Sequence, residues 1–436
     1  MVMNIRHALV AAVLTTLGLG VLWVGTILAA GQPPRDQGQR PPESRGPQGG
    51  RQQYSIEQAT SDGAQLHTVA FSGLAFVTGD FGAATFLPPG KVCDFFGFQY
   101  MRDIDTSEKG HNPIFLDRVA GNVLQTLNDG QRALFERAAR QEAEQWRSLA
   151  ERRLPVIDAF YRQLRSELPA GSEGLNQESV VRYLGELFAL DAELAYRRGQ
   201  VYGQVAAALT PEQKTYLGRM KFGDFSTWPA VDMEQYKLPR GTEKLVNVVY
   251  MTYASEFFSW YAGSLDADTY FCPERHGTYF GGFYMKDMPA MGKRDFDISM
   301  TVTGDSGQAF LEALTTEQRG WVTESVERQR GVIAEIVSVR RAIATELRRF
   351  LKGETPDHDK VGALGRRYGE LDGRASYAYA MAFARVGQTL TAGERNTLMR
   401  LRNLDGYTSA PAYLFSDPMP TTPALPGTDH FFFPPK

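Results

Sequence analysis

Cysteine is nearly missing from this sequence: Cys93 and Cys272 are the only two among 436 residues. No C-x-x-C-H is present, which excludes covalent haem attachment through that motif. G-x-S-x-G, H-E-x-x-H, a Walker loop and a dinucleotide fingerprint are also absent, so the enzyme classes recognisable by short motifs drop out. The six histidines, at 7, 67, 111, 276, 358 and 430, include no helical pair four residues apart. An excess of either charge is lacking too: 47 Lys and Arg stand against 50 Asp and Glu, a net −3. Without a basic field no nucleic-acid partner is expected, and without an acidic excess no acidic disordered tail.

Charge also vanishes from one long stretch, residues 8–30, rich in Leu, Val, Ala and Gly. Its length suits a membrane-spanning helix, which needs about 20 apolar residues. Its position suits a secretory signal peptide. Residues 1–30 therefore read as a signal peptide or an N-terminal membrane anchor, and either places the body outside the cytoplasm. The expected location is periplasmic or on the extracellular face, secreted or tethered to the inner membrane. Residues 31–53, GQPPRDQGQRPPESRGPQGGRQQ, have almost no apolar side chain and read as a disordered Pro/Gly/Gln linker.

What is present in abundance is repetition. Residues 79–103 (GDFGAATFLPPGKVCDFFGFQYMRD) align without a gap on 263–287 (GSLDADTYFCPERHGTYFGGFYMKD). Gly79, Ala83, Thr85, Pro89, Phe96, Gly97, Tyr100, Met101 and Asp103 fall on Gly263, Ala267, Thr269, Pro273, Phe280, Gly281, Tyr284, Met285 and Asp287. Beyond each copy, apolar residues recur at three- and four-residue steps over 129–168 and 176–209, and again over 316–351 and 357–390. Pro155 marks a break in the first of these runs, and Asn176 a cap before the second. The short turn-rich loops at 169–175 and 352–357 make each pair an expected antiparallel helical hairpin. Residues 242–263 form a further helix, whereas the glycines in 58–79 make its counterpart only partly helical.

The predicted fold is thus mainly all-α, a tandem duplication of a long helical-hairpin domain with aromatic, Gly-rich ordered loops. The first domain covers 54–235, the second 236–415, and 416–436 is an extended Pro/Phe tail whose three Phe dock on the bundle.

Short elements recur at the helix starts. Leu127–Gln131 (LNDGQ) aligns with Leu314–Gln318 (LTTEQ), and Leu209–Gln213 (LTPEQ) with Leu390–Glu394 (LTAGE). Thr210 with Gln213, and Thr315 with Gln318, read as capping boxes, in which each side chain satisfies the other residue's amide. These elements resemble those of the LTxxQ-motif (Spy/CpxP-like) periplasmic helical proteins. That resemblance implies an exported helical hairpin protein that binds unfolded chains or, in related sensors, metal ions.

Candidate chemistry is concentrated in the second repeated stretch. Met285, Met288 and Met291 form M-x-x-M-x-x-M, with Cys272 and His276 just upstream. Thioether, thiolate and imidazole are ligands that select copper(I). Met also fills irregular cores, and the first copy keeps only Met101 of the three. Export would favour a Cys93–Cys272 disulfide, the alternative being two small buried thiols. Glu142, Glu144, Glu324 and Glu335 lie among Arg140, Arg147, Arg328 and Arg340 and read as solvated ion-pair faces. Asp103 and Asp287 read as turn or cap residues, the alternative being an enzyme that uses both stretches in a pocket between the halves.

No catalytic residue and no organic cofactor are expected. The leading expectation is a non-enzymatic bacterial envelope protein with a protein partner and a membrane contact through its N-terminal segment. A copper-binding or copper-sensing protein is the alternative.

Overall fold

The computed structural model of the chain describes residues 56–78, 119–152, 154–220, 227–269, 306–402 and 428–435. Among them there is no strand, only an isolated antiparallel bridge between Ser172 and Pro435, and the fold is all-α as expected. No described helix is long and apolar enough to cross a membrane; residues 8–30 lie outside the described set.

The chain enters through α1 (Ile56–Ala59) and α2 (Asp62–Val77). The expected partial helix is helical through Gly73, because that glycine is a contact point. A Cβ there would lie 2.8 Å from Phe383 and 2.9 Å from Phe310. Packing at this position outweighs glycine's helix penalty of about 1 kcal/mol. Next come α3 (Gly121–Thr126), α4 (Asp129–Glu151) and α5 (Leu154–Arg165). The break at Pro155 is as expected, with the proline in the first turn of α5, where a missing N–H leaves no broken bond.

Then follow α6 (Gln177–Ala207), α7 (Pro211–Arg219), a 3-10 turn at Met233–Gln235, α8 (Lys244–Ala262) and α9 (Leu265–Thr269). The Asn176 side chain caps α6 by accepting from the Ser179 amide. After residues 270–305 the chain continues as α10 (Ser306–Ala313), α11 (Thr316–Leu347) with a 3-10 extension Arg348–Lys352, α12 (His358–Thr389), α13 (Ala392–Arg402) and α14 (Thr428–Phe432).

Among the described helices α6 and α12 share the most extensive contact and form the spine. Their contact runs along Gly365, Gly369 and Gly373, spaced four apart on one face of α12. Built Cβ atoms at these positions would lie 2.4 Å from Ala192 Cβ, 2.1 Å from the Leu184 carbonyl and 2.7 Å from Val181 Cα. Partner numbers fall as glycine numbers rise, so the helices are antiparallel. One continuous apolar core surrounds them, including Trp146, Trp260, Tyr202, Tyr253 and Phe383. Full burial of side chains this large contributes about 1.5–3 kcal/mol each.

The covering helices cross over. α8 packs against α3, α4, α6 and α7, whereas α2 packs against α10, α11, α12 and α13. α8 thus covers helices that precede it in the chain, and α2 covers helices that lie beyond residue 305. An ion pair marks the start of each covering helix: Arg147 Nη2 to Glu243 Oε1 at 2.6 Å, and Arg330 Nη2 to Asp62 Oδ2 at 2.6 Å.

Four corner elements anchor the helix starts. Thr210/Gln213 and Thr315/Gln318 are the two expected capping boxes. Asn128/Gln131 makes the same reciprocal bonds at 2.9 and 2.9 Å, and Thr391/Glu394 at 2.7 and 3.2 Å. The Gln131 and Gln213 side chains also bond to each other, and reach the Ala208 and Thr126 carbonyls at 2.8 Å each. Elements some eighty residues apart thus lock the starts of α4 and α7 together.

Next to three of the boxes, Arg132, Arg319 and Arg395 donate to carbonyls of the preceding helix or turn, at Leu124, Leu311 and Gly387. Thr315→Ala is expected to cost about 1 kcal/mol. Gln318→Ala should cost more, because it also removes the bond to Thr389 at 3.3 Å. Urea melts of the two variants check both the size and the order.

The C-terminal Phe cluster docks, with Phe432 and Phe433 both buried. The Asn176 amide donates to the Phe432 carbonyl at 2.9 Å, and Tyr183 packs edge-on against Phe431 and Phe432. In place of the expected extended chain, Thr428–Phe432 is a helical turn, which turns neighbouring rings toward α5 and α6.

Candidate functional site

Cys93, Asp103, Cys272, His276, Met285, Met288, Met291 and Asp287 all lie outside the described residues, as do the disulfide and copper sets they define. Among the described residues no cluster of His, Cys, Asp and Glu is arranged to hold a metal ion. The chain leaves for 79–118 after α2 and for 270–305 after α9, next to the second of two buried polar clusters.

The first cluster lies between α4, α6 and α8. The carboxylates expected on solvated faces divide here. Glu144 and Glu324 pair in solvent with Arg147 and Arg328, and Glu335 with Arg367. Glu142 and Arg340, in contrast, are interior. Glu142 points from α4 toward α8 and accepts from the Tyr253 hydroxyl, which itself accepts from Trp146 Nε1 at 2.8 Å.

One helix away, Arg198 is fully buried and paired with Glu256, and the Tyr202 hydroxyl donates to the same carboxylate at 3.3 Å. The guanidinium lies over the Trp146 ring at 4.6 Å and the Tyr253 ring at 5.7 Å, so aromatic faces supplement the ion pair. Burial raises the Glu142 carboxyl, partly offset by the Tyr253 bond and the Arg198 charge. Burial and adjacent carboxylates put Tyr202 and Tyr253 well above the usual phenol range. Burial works against the Arg198 charge, but Glu256 outweighs it and the guanidinium is held more firmly protonated.

This cluster had a sequence signal that the helix period alone did not isolate. Glu256 is the single charge of α8 after Lys244, in an apolar run that must be buried. A lone carboxylate there requires a cationic partner. Arg198 falls four residues from both Leu194 and Tyr202, on the buried stripe of α6.

The second cluster ties α9 to α11. Arg348 pairs with the fully buried Asp268 and donates to the Trp260 carbonyl at 3.1 Å, and Arg340 donates to the Asp268 carbonyl at 2.8 Å. Burial pushes the Asp268 carboxyl up to about 7 against the pull of Arg348 and Arg340. Arg341 adds an exposed pair with Asp266 at 2.8 Å. The end of α8, the turn at Gly263 and all of α9 are held on α11 just before residue 270.

On the surface, an open groove of about 470 Å³ runs between α6 and α12, lined by Glu178, Arg182, Glu186, Arg366, Glu370 and Arg374. At the far end of the same helix pair, His358 Nε2 pairs with Glu193, which Arg197 also holds at 2.8 Å. The Glu193 bond raises the His358 imidazole, with partial burial opposing, and Glu193 itself is lowered against its burial by His358 and Arg197.

A histidine raised on folding contributes stability in full below its unfolded value, and that contribution is lost as pH rises through the folded value. His358→Gln should therefore cost stability near pH 6 and almost nothing near pH 9. The histidine is half exposed, so the difference should be at most about 1 kcal/mol. Denaturant midpoints of both proteins at the two pH values check it.

The chain matches no family model, and no similar protein is found among curated proteins or solved structures. The clusters and the groove therefore have to be read from their own chemistry.

Proposed function

We propose that this is an exported, non-enzymatic protein of the bacterial cell envelope, a duplicated helical scaffold that binds a protein partner in a chaperone-like way. The observation that carries the reading is the contrast between interior and surface. The buried acids, bases and phenols around Arg198 and Asp268 are engaged with one another. The open α6–α12 groove presents guanidinium and carboxylate groups in mixture, which suits transient charge pairing with an extended polypeptide. Duplication is supported by the matched order of covering contacts around α2 and α8 and by the four corner elements.

Light scattering by a denatured client diluted into buffer tests the proposal. The protein should suppress scattering near stoichiometric ratio, and Arg374→Glu should weaken suppression without lowering the denaturant midpoint. Unchanged scattering, with no client binding by fluorescence anisotropy, would sink the reading.

Copper binding through Met285, Met288, Met291, His276 and Cys272 is the second reading, supported by the softness of that ligand set. Copper retained through competition with a copper(I) chelator, and lost when the three Met are replaced by Leu, would favour it over the scaffold.

A further inference from the structure

We infer that the α6–α12 groove takes acidic segments of its polypeptide client, their carboxylates held by Arg182 and Arg374 at the end where α6 begins. This rests on the reading of the groove as a polypeptide site and names the chemistry it selects. The charged residues lining it are unequal. Glu186 is closed by Arg366, and Glu370 by Arg367 at 3.1 Å, which Glu335 also holds at 2.7 Å. Arg374, in contrast, has no ion pair or hydrogen bond among the described residues, and Arg182 has no carboxylate partner among them.

The antiparallel packing gathers these open groups. Gly373 lies against Val181 and Gly185 against Glu370, so Arg374 sits level with the first turns of α6 and the closed pairs lie farther along. Glu178, also without an ion pair among the described residues, stands in the first turn of α6 and answers the positive end of that helix dipole, equivalent to about half a charge. Two guanidiniums still outweigh one carboxylate there, so this end of the groove is positive.

Arg182 is preset for a carboxylate. Its guanidinium lies over the Phe431 ring at 4.8 Å, and that ring meets Tyr183 at 6.0 Å in the docked Phe cluster. Phe432 beside it is buried, and its carbonyl accepts from the Asn176 amide at 2.9 Å, which fixes the cluster on the start of α6. Contact with the ring uses one face of the guanidinium and leaves N–H donors at its edge, the geometry that grips a carboxylate through two bonds. The half-buried Phe431 also offers a surface to an apolar neighbour of the acid.

Fluorescence anisotropy on the full-length protein tests this with two labelled unstructured peptides of equal length and apolar content, one carrying Glu and the other Lys at the same positions. The Glu peptide should bind about tenfold more tightly at low salt, since each exposed charge pair adds up to about fivefold. High salt should erode the advantage. Arg374→Glu should abolish the preference without lowering the denaturant midpoint, while Arg400→Glu, an equal change of net charge on α13, should keep it. Equal binding of the two peptides, or a preference that Arg374→Glu leaves intact or Arg400→Glu removes as well, overturns the inference. So does absence of binding by either peptide; client scattering then decides separately whether the scaffold reading stands.

Discussion

Glu256→Ala is expected to lower the unfolding free energy by about 3–5 kcal/mol, because it leaves Arg198 charged in an interior without its carboxylate. Arg198 and Glu256 are respectively 0% and 1% exposed, so water cannot replace the lost partner without opening the packing of α4, α6 and α8. Since a domain's whole stability is about 5–15 kcal/mol, the variant should fold poorly at 37 °C or sit near the edge of its transition. The double variant Arg198→Met with Glu256→Leu should recover a large part of the loss, because an apolar pair of similar volume removes the desolvation cost on both sides. Urea unfolding of the single and double variants measures the coupling. A cost below about 1 kcal/mol for Glu256→Ala would mean that the pair is hydrated and the cluster is not sealed.

The second large effect is on the spine and depends on sign. Gly369→Ala places a Cβ 2.1 Å from the Leu184 carbonyl, a backbone atom of α6 that can yield only by moving the helix. An overpacked contact of this kind costs about 1–3 kcal/mol, occasionally more. Gly362→Ala lies on the same helix with nothing within 4 Å of its built Cβ, and should instead stabilise by up to about 1 kcal/mol through helix propensity. One substitution, seven residues apart, is thus expected to act in opposite directions. If Gly369→Ala also stabilised, the α6–α12 contact would have to be looser than described. Thermal or urea melts of the two variants decide it.

The helices were legible because their signals are local. Apolar period, Pro155, the Asn176 cap and the L-x-x-x-Q/E corners each act within a few residues, and all were found where the sequence put them. Docking of the Phe cluster was legible too, since three adjacent rings need an apolar face. Glu142 and Arg340 were misplaced on the surface because an i,i+4 charge pattern looks the same on a solvated face as beside a buried tyrosine or aspartate. Only the packing of α8 and α9 distinguishes the two. The cysteine and methionine sets fall outside the described residues, so the copper and disulfide readings stand as expectations.

By itself, the sequence determined an all-α chain and the positions and caps of its long helices. Tertiary structure alone decided that the described helices share one core and that α2 and α8 cross to cover opposite hairpins. It also decided which charges became Arg198–Glu256 and Asp268–Arg348. The physical reason is range: helix formation is written in neighbours three or four residues apart. The crossing is instead set by shape and charge across separations such as Asp62 to Arg330, which no local pattern records.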